Sequence, residues 1–146
     1  MSRLAAERSI DAEALKLMGL FASVTRTSPL DVLATDDRIV FVVPSEEVGR
    51  AVGKGGTHLK LLRERLGKGV DVVGFDPDPA AFVKNIFRPY GAEEVTIEDR
   101  KDGTKVAKVR VPADAKGRAI GRNGKTVRTA SELAKRNVGV DQVVVE

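Results

Sequence analysis

Two short glycine loops, each with a basic residue between its glycines, are the parts of this sequence best suited to chemistry. They read Gly53-Lys54-Gly55-Gly56 and Gly121-Arg122-Asn123-Gly124. Glycine leaves the backbone amides uncovered, so a phosphate can approach them closely. A helix that begins directly after such a loop adds unpaired N–H groups and the positive end of its dipole. The pattern therefore predicts a phosphate-binding site in each loop.

Basic residues cluster around both loops. The net charge of the chain is +4, but residues 49–68 carry +5 and residues 115–136 carry +6, which leaves −7 for the remainder. Since nucleic-acid affinity depends on local clusters of Lys and Arg, two basic islands in an acidic chain favour a nucleic acid over two merely solvated helix faces. The residues expected to extend the positive surface are Arg50, Lys60, Arg118, Lys125 and Arg128.

The two loops belong to an internal repeat. Residues 49–56 align without gaps with residues 117–124, an offset of 68, and the same offset pairs Pro44 with Pro112. After the next helix the offset becomes 70, because residues 69–71 match residues 139–141. This register predicts two additional residues in the second half and pairs Val72 with Gln142.

Hydrophobic periodicity predicts the same order of elements in both halves, namely helix, two strands, two helices and a strand. The segments expected in the first half are 11–24, 30–34, 39–43, a short helix, 57–66 and 70–74. Those expected in the second half are 79–87, 94–98, 105–111, a short helix, 125–136 and 140–145. Two prolines stiffen the junction at residues 76–79, so we predict domains at 1–76 and 77–146.

Composition excludes several classes of function. Without cysteine there is no thiol nucleophile, disulfide or thiolate-bound metal. Residues 1–8 include three charged side chains, and no stretch approaches ~18 consecutive apolar residues. We therefore expect a cytoplasmic protein that is neither secreted nor membrane-spanning. His58, the single histidine, is expected to be a solvated residue at a helix start. No pattern identifies catalytic or metal-binding residues, so we predict no enzyme activity, no cofactor and no small-molecule substrate.

Each loop lies within the pattern [Val/Ile]-Gly-x-x-Gly-x-x-[Leu/Val] and follows Gly-Arg-Ala. In this setting the loops resemble those of the KH domain, and the order of elements resembles its prokaryotic type II form. The resemblance covers residues 30–146, with residues 11–24 as an additional helix. It implies an α+β fold of two tandem α/β-sandwich KH domains, each a three-stranded sheet covered on one face by helices.

The resemblance also implies a function. A KH domain holds about four nucleotides of single-stranded RNA, with the glycine loop on the backbone and an apolar groove for the bases. By position, the residues that hold the RNA backbone are 53–56 and 121–124. The residues that line the grooves are Val52, Val72, Ile120 and Gln142. Two closely joined type II KH domains are similar to the archaeal NusA-like transcription factors. This implies a monomeric elongation or termination factor at nascent RNA, with RNA polymerase as a further partner.

Three alternatives stay open at this point. A ribosomal or ribosome-assembly KH protein would bind RNA similarly, although such proteins usually carry stronger positive charge. A structural adaptor would use its sheet faces for protein contacts. A P-loop nucleotide site would use residues 124–126, but the first glycine of that motif falls on Ala119, and the segment before it is predicted to be helical instead of a strand.

Overall fold

The structure, a computed structural model, describes residues 11–146. The N-terminal segment 1–8, whose charged residues led us to expect a protein that is not secreted, lies outside this range. Among the described helices, none is long and apolar enough to cross a membrane. The chain forms two compact units, one ending at Phe75 and the other comprising Asp76–Glu146. The domain boundary placed after Asp76 stays a prediction.

The first unit is a three-stranded sheet with helices on one face. Its elements are α1 (Ala12–Thr25), β1 (Asp31–Ala34), β2 (Arg38–Pro44), α2 (Val48–Val52), α3 (Thr57–Leu66) and β3 (Gly69–Phe75). Short 3-10 turns precede α2 and α3. Strand β2 is central, with β1 antiparallel and β3 parallel to it.

The core of this unit lies between the sheet and the helices. Phe41 of β2 stacks on Phe21 of α1 with ring centroids 4.2 Å apart, and both side chains are fully buried. Such a pair contributes about 0.5–1.5 kcal/mol beyond its buried area. Ala51 of α2 and Leu62 of α3 belong to the same cluster. The packing therefore fixes α2 and α3, and with them the intervening loop, against the sheet.

The second unit repeats this plan. Its elements are α4 (Pro79–Ile86), β4 (Glu94–Asp99), β5 (Lys105–Arg110), α5 (Lys116–Ile120), α6 (Lys125–Val138) and β6 (Gln142–Val145). Strand β5 is central, antiparallel to β4 and parallel to β6. Three buried alanines, Ala119 of α5 with Ala130 and Ala134 of α6, join the core cluster of this sheet. The predicted α+β architecture of two helix-covered, three-stranded sheets is confirmed.

Helix starts agree with the capping residues in the sequence. Asp11 accepts a hydrogen bond from the backbone N–H of Ala14 at 2.7 Å and caps α1. Asp78 accepts from the N–H of Ala81 at 3.1 Å and caps α4. A side-chain oxygen at this position satisfies one of the free N–H groups of the first turn, so both carboxylates stabilise their helices by roughly 1 kcal/mol.

The predicted length difference between the repeats is wrong. Helix α3 has 10 residues and α6 has 14, so the second half contains one additional helical turn instead of two additional residues. Both helices end at a glycine in the left-handed conformation, Gly67 after α3 and Gly139 after α6. The offset has therefore become 72 by the end of the helix.

This difference and one additional residue between α6 and the last strand change the pairing of residues in the last strands. Val72 pairs with Phe41 across the first sheet, and Val145 pairs with Val109, which matches Phe41 in the repeat. Val145, not Gln142, is thus the counterpart of Val72. Because side chains alternate along a strand, Gln142 points to the opposite face of the sheet from Val145.

The sheet faces turned away from the helices differ in character. In the first sheet, Val40 and Val42 are buried on that face. In the second sheet, the corresponding face carries the ion pair of Glu98 with Lys108, at 2.7 Å. The hydrogen bond from Lys108 holds the pKa of Glu98 below its usual value and raises the pKa of Lys108.

Candidate nucleic-acid interface

The two glycine loops share one backbone conformation. Each connects a five-residue helix, α2 or α5, to α3 or α6 through a single 3-10 turn. Gly53 has φ +80° and ψ 160°, and Gly121 has φ +81° and ψ 164°. A hydrogen bond from the N–H of Gly56 to the carbonyl of Gly53 closes the first turn at 2.9 Å, and Gly124 donates to Gly121 at 3.0 Å. The repeat in sequence is therefore a repeat of loop geometry.

The first glycine of each loop is required by a close approach of the following helix. A Cβ on Gly53 would lie 2.8 Å from Cγ of His58. A Cβ on Gly121 would lie 2.7 Å from the backbone nitrogen of Thr126. Both distances are too short for a carbon atom, so these two glycines pack the loop against its helix. From the sequence we expected glycine in these loops for ligand approach and for backbone angles that a Cβ disfavours, and both first glycines do have a positive φ.

The outer half of each loop is open. Nothing in residues 11–146 lies within 4 Å of a Cβ placed on Gly55 or Gly56. At Gly124 the nearest atom is a methyl carbon of Val127, 3.9 Å away. Lys54 and Arg122 are exposed beside this open backbone. A ligand can therefore reach the third and fourth residues of each loop without displacing a side chain.

The helices that follow the loops differ from the other long helices at their first turn. Helices α1 and α4 are capped by aspartate side chains, whereas α3 and α6 begin after Gly56 and Gly124. Neither receives a hydrogen bond from a capping side chain within the described chain. Since N-terminal helix groups attract anions, this combination suits the phosphate chemistry that the sequence predicted.

The third residue of each loop is left-handed. Gly55 has φ +67° and ψ 18°, and Asn123 has φ +57° and ψ 27°. Asparagine is one of the few non-glycine residues that adopt this region readily. The second loop thus keeps the shape of the first while adding an exposed amide, which can both donate and accept hydrogen bonds.

The histidine beside the first loop belongs to its framework. His58 is half-buried, packs over Gly53 and is hydrogen-bonded to the preceding helix. The expectation of a solvated side chain is wrong. Thr126 takes the same place beside Gly121 in the second loop. The signal in the sequence was the small first glycine, which leaves room for a larger neighbour five residues later.

The predicted basic residues lie on the helices that flank the loops. Arg50 on α2 and Lys60 on α3 are exposed beside the first loop. Arg118 on α5 and Arg128 on α6 are exposed beside the second, and Lys125 at the start of α6 is half-buried. The structure thus distributes these side chains over the two helices that flank each loop.

Two other basic residues of the first island hold the fold together instead. Arg63 donates from Nη2 to the carbonyl of Val70 at 3.1 Å. Lys68 donates from Nζ to the carbonyl of Thr35 at 3.0 Å. These bonds join α3 to β3, and the turn after α3 to the turn between β1 and β2. Part of the charge counted in the sequence is therefore structural.

The predicted groove residues do not all lie on the same side of their sheets. Val52 and Ile120 end α2 and α5 and are half-buried next to their loops. Val72 is partly buried against the first core. Gln142 is exposed on the opposite sheet face from Val145. The structure thus brings Val52 and Ile120 to the loops and places Val145, not Gln142, in the position matching Val72.

Metal binding and nucleotide binding can also be compared with the structure. In residues 11–146 no group of three His, Cys, Asp or Glu residues is arranged to hold a metal ion. The P-loop alternative conflicts with the structure, because the segment before Ala119, where that motif requires a strand, is a 3-10 turn followed by α5.

Comparison with known proteins gives consistent matches. A family model described as the NusA-like second KH domain matches residues 79–143. A Halobacterium salinarum protein named "Probable transcription termination protein NusA" is 37% identical over 131 residues, covering 90% of this chain and 93% of the relative. A Methanococcus vannielii protein of the same name is 34% identical over 137 residues, covering 93% of this chain and 78% of the relative.

A solved structure extends the likeness to three dimensions. The crystal structure of APE1850 matches with a TM-score of 0.75 and 36% sequence identity, covering 94% of this chain and all of the other. Sequence relatives over most of the chain, a KH family match and two KH-like units with equivalent glycine loops agree with one another. The chain belongs to the archaeal NusA-like family of KH-domain proteins.

Proposed function

We propose that this protein is a transcription termination or elongation factor that binds single-stranded RNA through its two glycine loops. The observation that carries the proposal is the pair of loops with matched geometry, open outer halves and flanking basic residues, each in a KH fold. KH domains hold about four nucleotides each, with this loop on the backbone. Two such domains suit an RNA segment of about eight nucleotides.

Each loop acts on the sugar-phosphate backbone. The open residues 54–56 and 122–124 let a phosphate reach the backbone amides, and Lys54 and Arg122 supply charge-assisted hydrogen bonds. The supporting cations are Arg50, Lys60, Arg118, Lys125 and Arg128. Backbone contacts of this kind fix the position of the RNA without reading its sequence.

The bases would lie beside the loops against apolar walls. Val52 and Ile120 stand at the inner ends of the loops, and Val72 with its counterpart Val145 lies on the last strands. The relatives named as probable transcription termination proteins support a role in transcription. We therefore propose the nascent transcript as the RNA and RNA polymerase as a further partner. We propose that the protein acts in the cytoplasm as a monomer, by binding and without catalysis or cofactor.

Charge reversal in the loops tests the proposal. Lys54→Asp, Gly55→Asp, Arg122→Asp and Asn123→Asp together lower the net charge by six, and aspartate tolerates the left-handed third position. We expect this variant to lose binding to a labelled single-stranded RNA in fluorescence anisotropy while keeping its melting temperature.

A control variant separates the loops from overall charge. Lys16→Asp, Lys84→Asp and Lys101→Asp also remove six charges, at exposed positions outside both loops. It should still bind RNA. Undiminished binding by the loop variant would refute the proposed clamps, and equal loss in both variants would indicate non-specific attraction. In cells, crosslinking to nascent transcripts supports the transcription role, whereas crosslinking to ribosomal precursors supports the assembly alternative.

A further inference from the structure

We infer that the two RNA-binding regions around the glycine loops, here called clamps, are unequal. The second clamp makes more ionic contacts with the RNA backbone than the first, and it therefore sets most of the salt dependence of binding. The first clamp denotes residues 45–64 and the second denotes residues 113–132, which match at the offset of 68. The inference rests on the proposed function and describes how its two sites share the work.

Charge differs between the clamps at matched positions. The first clamp has four Lys and Arg residues against three acidic residues, and the second has five against two. The acidic Glu47 of the first clamp is replaced by Ala115, which is buried in the second. Thr57, the first residue of α3, is replaced by Lys125 at the start of α6.

The cations of the first clamp are partly engaged within the protein. The guanidinium of Arg50 lies 3.7 Å from the carboxylate of Glu47. Arg63 is bound to the carbonyl of Val70. Lys54 and Lys60 are left as exposed cations without an ion-pair partner in residues 11–146. The first clamp therefore offers two uncommitted charges.

More cations of the second clamp have no ion-pair partner in residues 11–146. Four exposed residues have no carboxylate partner within the described part of the chain. They are Lys116, Arg118, Arg122 and Arg128. The second clamp thus offers at least twice as many charges to a polyanion as the first.

The type of side chain adds to the difference. Arg122 and Arg128 stand where the first clamp has Lys54 and Lys60. A guanidinium can form two parallel hydrogen bonds to a phosphate, whereas an ammonium acts as a point charge. The amide of Asn123 has no equivalent in the first clamp, where Gly55 occupies its position.

The inequality predicts a measurable salt dependence. For single-stranded nucleic acid, each neutralised phosphate contributes about 0.7 to the slope of log affinity against log salt concentration. Two contacts in the first clamp correspond to a slope of about 1.4, and four in the second to about 2.8. Between about 50 and 200 mM salt, these slopes correspond to losses of affinity of about 7-fold and about 50-fold.

Matched substitutions disable one clamp at a time. Asn123→Asp and Gly55→Asp place the same carboxylate at the same left-handed position of each loop. The controls Asn123→Gly and Gly55→Asn exchange the loop residues without changing charge. The probe is a labelled oligouridylate of about eight nucleotides. We expect Asn123→Asp to lose more affinity than Gly55→Asp. The salt slope that remains in Asn123→Asp, which comes from the first clamp, should be about half as steep as the slope that remains in Gly55→Asp.

The outcomes separate the inference from the function on which it rests. Equal slopes in the two aspartate variants, or a steeper remaining slope in Asn123→Asp, would overturn the inequality while the RNA-binding proposal stands. Wild-type affinity and slope in both variants would refute the loops as the RNA site. If Gly55→Asp lowers the melting temperature, Lys54→Glu against Arg122→Glu makes the same comparison without changing the left-handed residue.

Discussion

Nδ1 of His58 lies 2.8 Å from the backbone carbonyl oxygen of Arg50, so the imidazole donates a hydrogen bond that ties α3 to α2 behind the first loop. Because a carbonyl oxygen can only accept, Nδ1 carries the proton in this contact. We expect His58→Ala to lower the free energy of unfolding by about 1 kcal/mol, the typical net value of one hydrogen bond. Urea denaturation measures the change. His58→Asn, which retains a donor, should lose less, and equal stability of wild type and His58→Ala would contradict a framework role.

The first glycine of each loop should tolerate no side chain. Gly53→Ala and Gly121→Ala introduce a Cβ that overlaps His58 or Thr126 and force alanine into a positive φ. We expect each to cost about 2–3 kcal/mol of stability. Thermal unfolding is the measurement.

Two other glycines serve as controls for these substitutions. A Cβ added to Gly49 in α2 or to Gly117 in α5 would meet nothing within 4 Å in residues 11–146. Since alanine favours helix over glycine, Gly49→Ala and Gly117→Ala should be neutral or stabilise by about 0.5–1 kcal/mol. Comparable destabilisation at all four positions would show that the clash does not explain the first glycine.

The third loop position should accept asparagine but not a branched side chain. Gly55→Asn reproduces the residue that the second loop carries at φ +57° and should leave stability nearly unchanged. Gly55→Val requires a β-branched residue in the left-handed region and should cost about 1–2 kcal/mol. The melting temperatures of the asparagine and valine variants, compared with that of the wild type, test this expectation. A valine variant as stable as the wild type would mean that the loop relaxes to another conformation.

The ion pair on the second sheet should make stability depend on acid pH. The hydrogen bond and charge of Lys108 lower the pKa of Glu98, so this carboxylate stabilises the fold above its unfolded pKa. The contribution is lost as the pH falls through the lower, folded value. We expect Glu98→Gln to melt below wild type at neutral pH and to converge with it in acid. The exposed Glu93→Gln provides the control, and a gap that persists in acid would contradict the assignment.

Local sequence signals were sufficient for most of the fold. Helix α3 has the bounds expected from the sequence, and α1 begins one residue after the capping Asp11, where its pattern starts. The glycine loops were found because the same motif occurs twice with matching neighbours. Both signals are local, depending on capping groups, periodicity and backbone freedom, which a sequence displays directly.

The errors arose where tertiary contacts decide. The last two residues of α6, 137–138, were missed because they give no strong local signal. Together with one additional residue between α6 and β6, this assigned Gln142 to the position that belongs to Val145. Arg63 and Lys68 were counted as surface charge because their carbonyl acceptors lie seven and 33 residues away in the sequence, so no local pattern reveals these hydrogen bonds. Charge in a sequence shows how many cations exist, while the fold decides which of them a ligand can use.

The conformation of Asn123 also affects the chemical stability of the second loop. In an Asn-Gly pair the following backbone nitrogen readily attacks the side-chain amide, releasing ammonia and, after water opens the ring, leaving aspartate or isoaspartate. With ψ at 27°, the nitrogen of Gly124 points away from the amide carbon of Asn123, and its N–H is held by Gly121. The folded loop thus shields its own sequence from a spontaneous deamidation that would put a negative charge into the second clamp.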